Sequence, residues 1–137
     1  MTRFSSLSED GIARLVDVFY AKIRADSILG PIFNGAIADE AWPTHLATMR
    51  AFWSSVMMTT GRYKGNPMIA HLRLKMVQPE NFERWLSLFT EASNEVFEEA
   101  VATQFQARAA RIAQSLSMGM FYRPEDHAPR AKAVTPQ

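Results

Sequence analysis

Four side chains in this 137-residue chain have the type and setting for chemistry: Tyr20 and the three histidines His45, His71 and His127. His71 lies in Asn66-Pro67-Met68-Ile69-Ala70-His71-Leu72-Arg73-Leu74, which reads as a short helix. Asn66 is a good N-cap, and Pro67 falls at the first helical position, where its missing N–H costs nothing. The imidazole is then set among aliphatic side chains, beside Met68 and Leu72. Burying it costs free energy unless its nitrogens find partners, and a metal on one nitrogen is one way to satisfy it. A structural core histidine is the competing reading of this segment taken alone.

The elements that must position these residues are all helical. Ser8-Glu9-Asp10 reads as a helix start, a capping hydroxyl followed by two acids in the first turn. Ile12, Val16, Phe19, Tyr20 and Ile23 follow at helical spacing, which points Tyr20 inward, and the pattern stops before Gly30-Pro31. Pro31-Ile32-Phe33-Asn34-Gly35 reads as a short turn. From about Asp39 to Thr60 an inward stripe of Trp42, His45, Leu46, Met49, Phe52, Trp53, Val56 and Met57 predicts a second helix, with Gly61 as the residue that ends it. Gln78-Pro79-Glu80 opens a third long helix with the stripe Phe82, Trp85, Leu86, Phe89, Ser93 and Val96. A last helix from about Glu99 to Tyr122 carries Val101, Phe105, Ala109, Ile112, Leu116 and Met120. No segment alternates with period two, so no strand is expected. Residues 1–123 form one domain, and the Pro-containing polar stretch 124–137, which includes His127, is expected to be a flexible tail.

Composition narrows the chemistry. With no cysteine, disulfides, thiolate ligation, iron–sulfur clusters and Cys-based zinc sites are impossible. The 15 basic and 14 acidic residues are scattered, which gives no electrostatic reason to expect nucleic acid. There is no signal-peptide core and no apolar run near the roughly 18 residues of a membrane span, so a cytoplasmic protein is expected. A di-iron bundle needs Glu-x-x-His pairs, yet Trp42, Met68 and Pro124 stand three before the histidines. The His-Glu-x-x-His of zinc peptidases and the Gly-x-Ser-x-Gly elbow of hydrolases are both absent. Haem, which needs one ligand histidine, a large apolar pocket and a few polar groups opposite, matches best.

The order and spacing of several segments carry a family signal. They are Val18-Phe19-Tyr20, Leu29-Gly30-Pro31-Ile32-Phe33, Trp42-Pro43-Thr44-His45, Phe52-Trp53, Gly65-Asn66-Pro67 leading to His71-Leu72, and Phe82-Glu83-Arg84-Trp85-Leu86-Ser87-Leu88-Phe89. Through these the chain resembles the truncated haemoglobins, specifically their third group, from Leu7 to about Tyr122. The glycine-pair motifs of the other truncated groups are missing. The resemblance implies an all-α, globin-like fold, a truncated 2-over-2 helical sandwich around haem b. His71 matches the proximal iron ligand, and Tyr20, His45 and Trp85 match the polar distal cluster. Phe33 matches the aromatic residue wedged against the porphyrin, with Met49, Phe52, Trp53 and Leu72 as further cofactor-binding positions.

Such a protein is expected to bind O2, CO, NO or peroxide as a monomer. Peroxidase-like or NO dioxygenase-like turnover with a separate reductase is one possible task. Two other readings remain at this point: a haem-free helical interaction domain, and an electron-transfer haem protein in which His45 is a second axial ligand. Arg62, Tyr63, Lys64 and Arg73 are either surface residues or partners for haem propionates.

Overall fold

A computed structural model of the chain describes residues 2–65 and 79–121. Helix α1 spans Glu9–Ala25, α2 Leu29–Ala36, α3 Trp42–Met58, α4 Pro79–Val96 and α5 Glu99–Phe121. The helix start read at Ser8 is observed: its Oγ accepts from Gly11 N at 3.0 Å, and Glu9 and Asp10 complement the positive helix end. The apolar stripe of α1 is buried, from Ile12 through Leu15, Val16, Phe19 and Tyr20 to Ile23. This helix packs against α3 and against α4, and α4 in turn packs along α5. The result is two helix pairs, the 2-over-2 sandwich that the resemblance implied. No strand forms among the described residues. An isolated bridge pairs Phe4 with Phe97, and Phe4 N donates to Val96 O at 2.8 Å while Glu98 N donates to Phe4 O at 2.9 Å.

Two boundaries differ from the sequence expectation. The segment expected as a short turn, Pro31 to Gly35, lies inside helix α2. Asp26 is the reason: its Oδ2 accepts from Ile28 N at 3.0 Å and Leu29 N at 2.9 Å. Its main-chain oxygen also accepts from Gly30 N at 2.9 Å, so the helix start is held from outside. Pro31 then falls within the first turn, where no intrahelical acceptor waits for its absent N–H. Gly30 is required there because a Cβ would stand 2.8 Å from the Arg24 carbonyl oxygen. The second difference is the end of α3. The backbone turns left-handed at Thr59, with φ 52°, two residues before Gly61.

Asp26 also fastens α4. Its Oδ1 accepts from Arg84 Nε at 2.8 Å and from Arg84 Nη2. The Arg84 bonds, and after them the two backbone N–H groups, hold the Asp26 carboxyl below the usual carboxylate range against the opposing effect of burial. The unfolded-state value is near 3.9 and the folded one is lower. Stability from this group is therefore complete above the unfolded value and is lost as pH falls through the folded one. Asp26→Ala removes charge-assisted bonds of about 1.5–3 kcal/mol each, part of it recovered because Arg84 is half-exposed. We expect a net loss of roughly 2–3 kcal/mol in urea unfolding at neutral pH. The loss should shrink as pH falls through the lowered folded-state value, where the parent carboxylate is protonated too.

Candidate functional site

Tyr20 lies in the second half of α1 and faces the start of α3. Its ring meets His45 edge-on with centroids 5.0 Å apart, and Trp42 meets the same imidazole edge-on at 5.3 Å. Tyr20 and Trp42 close the triangle at 6.0 Å, and Phe33 of α2 reaches Tyr20 at 6.2 Å. On its other side Tyr20 contacts Phe19 at 4.9 Å, and Phe19 stands edge-on to Trp85 at 5.4 Å. Tyr20, Phe33 and Trp85 are buried, and His45 is partly exposed. Tyr20, His45, Phe33 and, through Phe19, Trp85 therefore form one connected aromatic group drawn from four helices.

The polar tips of this group are unusual for a core. Trp85 is 4% exposed, and its Nε1 has no hydrogen-bond partner among the described residues. Leaving a buried donor unsatisfied costs about 1–3 kcal/mol, so the position fits a donor waiting for a ligand. The indole itself cannot retreat, because its ring stacks on Phe89 at 5.8 Å and 12°. Burial alone raises the Tyr20 pKa far above the ordinary phenol value, so the hydroxyl keeps its proton and remains able to donate.

Other sequence candidates make contacts of their own. Phe52 packs edge-on to Trp53 at 5.4 Å and to Tyr63 at 5.2 Å. Trp53 stacks on Phe89 at 5.0 Å and leans on Phe105 at 5.7 Å, so its faces serve α4 and α5. Met49 is partly buried on α3. His71, Leu72 and Arg73 lie outside the described residues, as do His127 and the 124–137 tail. Arg62 is engaged by α1: its Nη1 donates to Glu9 Oε1 at 2.7 Å.

Sequence reasoning passed over two polar residues. Asp26 could have been found as a capping residue just ahead of Leu29. Ser54 is fully buried and donates to Glu9 Oε2 at 2.6 Å, a contact between residues 45 positions apart that no local pattern announces.

The chain is similar to the group 3 truncated hemoglobin ctb of Campylobacter jejuni. The two are 39% identical over 127 residues, which cover 91% of this chain and 99% of that protein. It is also similar to the crystal structure of the group III truncated hemoglobin from Campylobacter jejuni, with a TM-score of 0.83 and 37% identity over 88% of this chain and 97% of that one. No family model matches. The chain belongs to the group III truncated haemoglobins. Membership of a globin family implies a haem cofactor. The residues described here fit one: an apolar aromatic wall with an orphaned buried N–H at Trp85 and a protonated phenol at Tyr20.

The buried phenol has an alkaline signature. In the unfolded chain Tyr20 ionises near pH 10, whereas in the folded chain it does so at higher pH, so stability falls as pH rises above about 10. We expect Tyr20→Phe to flatten that alkaline loss in melting curves recorded across the range. A Tyr20→Phe curve parallel to the parent's would show that the phenol is not shielded.

Proposed function

We propose that this globin holds haem b through His71 and binds O2 and related diatomic ligands beside Tyr20, His45 and Trp85, with tight retention that suits redox turnover better than transport. The observation that carries the reading is the Trp85 indole N–H, buried and unpartnered among the described residues, with Phe19 between it and the protonated Tyr20. Haem held by His71 would supply an iron able to take a small diatomic ligand. Phe33, Met49, Phe52, Trp53 and Leu72 are proposed to line the porphyrin, and Tyr20 and Trp85 to donate to the ligand.

An indole N–H can only donate, and a phenol that keeps its proton also donates, so both favour a ligand that carries negative charge. O2 gains such charge on binding, and CO gains less. In a site walled by aromatic rings each donor bond is stronger than in water. Such retention would suit reaction with nitric oxide, and the Tyr20 and Trp85 donors would equally suit peroxide, with electrons from a separate reductase. We assign the protein to the cytoplasm as a monomer. Among the described residues no helix is long and apolar enough to cross a membrane.

Purified protein should show an intense Soret band, which a haem-free interaction domain would lack. His71→Leu should remove most haem retention and lower the melting temperature, since haem favours the folded state. A retained band with an unchanged spectrum would refute His71 as the ligand. A ferric spectrum with two nitrogen axial ligands would favour the electron-transfer reading.

The donors are tested by stopped-flow release of O2. One bond to a partly charged acceptor is worth about 1.5–3 kcal/mol, so Tyr20→Phe should speed release by about tenfold to a hundredfold, with CO much less affected. Trp85→Phe should act in the same direction, and the double variant should be non-additive if both donate to one ligand atom. Parent release rates in both single variants would return the two side chains to plain packing.

A further inference from the structure

His45 is held by more than its own helix. Trp42, one helical turn earlier, meets its ring edge-on at 5.3 Å, while Tyr20 meets it from α1 at 5.0 Å. Trp42 is itself clamped: the Arg24 guanidinium lies over its ring, 4.5 Å from the centroid. Arg24 is fixed in that pose by α2 and the turn before α3. Its Nε donates to Asn34 Oδ1 at 2.9 Å, its Nη2 donates to Asp39 Oδ1 at 3.1 Å, and Asn34 Nδ2 returns a bond to the Arg24 carbonyl at 3.2 Å. The α1–α2 corner set up by Asp26 is what brings Asn34 to Arg24.

We infer that Arg24 and Trp42 are positioning residues that hold the His45 imidazole against Tyr20, at the border of the ligand pocket. The inference rests on the reading that Tyr20 and His45 border that pocket. For His45 to turn outward it must leave two edge-to-face contacts at once. Trp42 cannot follow it while the indole is pinned between the guanidinium on one side and its own buried packing, 4% exposed, on the other. The cation is attracted by the negative face of the indole, so Arg24 acts on His45 without touching it.

The test uses the haem-loaded protein. Arg24→Gln removes the cation but leaves a side chain able to bond Asn34, and its surface position spares the fold. Trp42→Leu removes the ring, and Trp42→Phe keeps one for both neighbours. The readouts are the His45 imidazole resonances in the diamagnetic ferrous CO form and CO rebinding after laser photolysis.

Loss of a cation–π contact at a half-exposed site corresponds to about a two- to fivefold change in the balance of inward and outward imidazole. We expect that change in Arg24→Gln, a larger one in Trp42→Leu and near-parent behaviour in Trp42→Phe. In a His45→Ala background, Arg24→Gln and Trp42→Leu should leave CO rebinding unaltered, because the ring they position is gone. The inference is overturned if Arg24→Gln and Trp42→Leu lower the melting temperature yet leave the His45 resonances at parent positions. It is equally overturned if they alter rebinding to the same extent with and without His45. If His45→Ala alone leaves ligand kinetics unchanged, the pocket reading of His45 fails, and displaced His45 resonances in Arg24→Gln would still support the clamp.

Discussion

One carboxylate, that of Asp26, determines where the pieces of this site stand. Its two oxygens accept the first backbone N–H groups at the start of α2 and both donors that Arg84 offers from α4. Tyr20 lies less than two turns before Asp26 on α1, and Trp85 directly follows Arg84 on α4. The same group therefore fixes the start of α2 and the separation of the two proposed donors. A carboxylate with all its lone pairs engaged tolerates burial, whereas an unpaired one does not. Deleting either partner would loosen the corner and the donor geometry together.

Around that anchor the aromatic rings do the packing, and the Trp85 Nε1 is left without a partner among the described residues. Phe89 is the hinge of the stack: Trp53 and Trp85 both lie nearly parallel to it, and Phe19 stands on it edge-on at 5.0 Å. Large rings bury much apolar area with few rotatable bonds. That burial works against the cost of the two unsatisfied indole N–H groups, at Trp42 and Trp85, and the stack on Phe89 orients the Trp85 ring. A donor that need not reorganise on binding is worth more to a developing charge than one that must first be turned.

Helix content was legible because each long helix has a continuous apolar stripe, and burial of Ile12, Val16, Phe19, Tyr20 and Ile23 follows the stripe read from sequence. What escaped were features set by polar side chains acting outside their own turn. Pro31 and Gly35 suggest a turn by composition, but the Asp26 carboxylate, together with the room that Gly30 leaves for the Arg24 carbonyl, makes the segment a helix. Ser54 looks like solvent-facing punctuation in α3, yet its hydroxyl is satisfied by Glu9, so it is buried. At the site, helical spacing alone turned Tyr20 and His45 inward, while their roles came from resemblance. The clamp on Trp42 was invisible, because Arg24, Asn34 and Asp39 meet only after the α1–α2 corner has formed.

The turn that follows α3 is held by a different kind of bond. Thr59 adopts a left-handed conformation that costs a β-branched residue roughly 1–3 kcal/mol. Ser54 Oγ and Thr60 Oγ1 are 2.7 Å apart, Tyr63 N donates to Ser55 Oγ at 2.8 Å, and Arg62 is tied to Glu9. At about 1 kcal/mol for each neutral bond, the two hydroxyl contacts are of the right size to offset the strained turn. The ion pair, half-exposed at both ends, adds little. Ring packing around Tyr20 and Trp85 and the hydrogen-bonded turn after α3 thus depend on separate physics. A substitution that loosens one need not disturb the other.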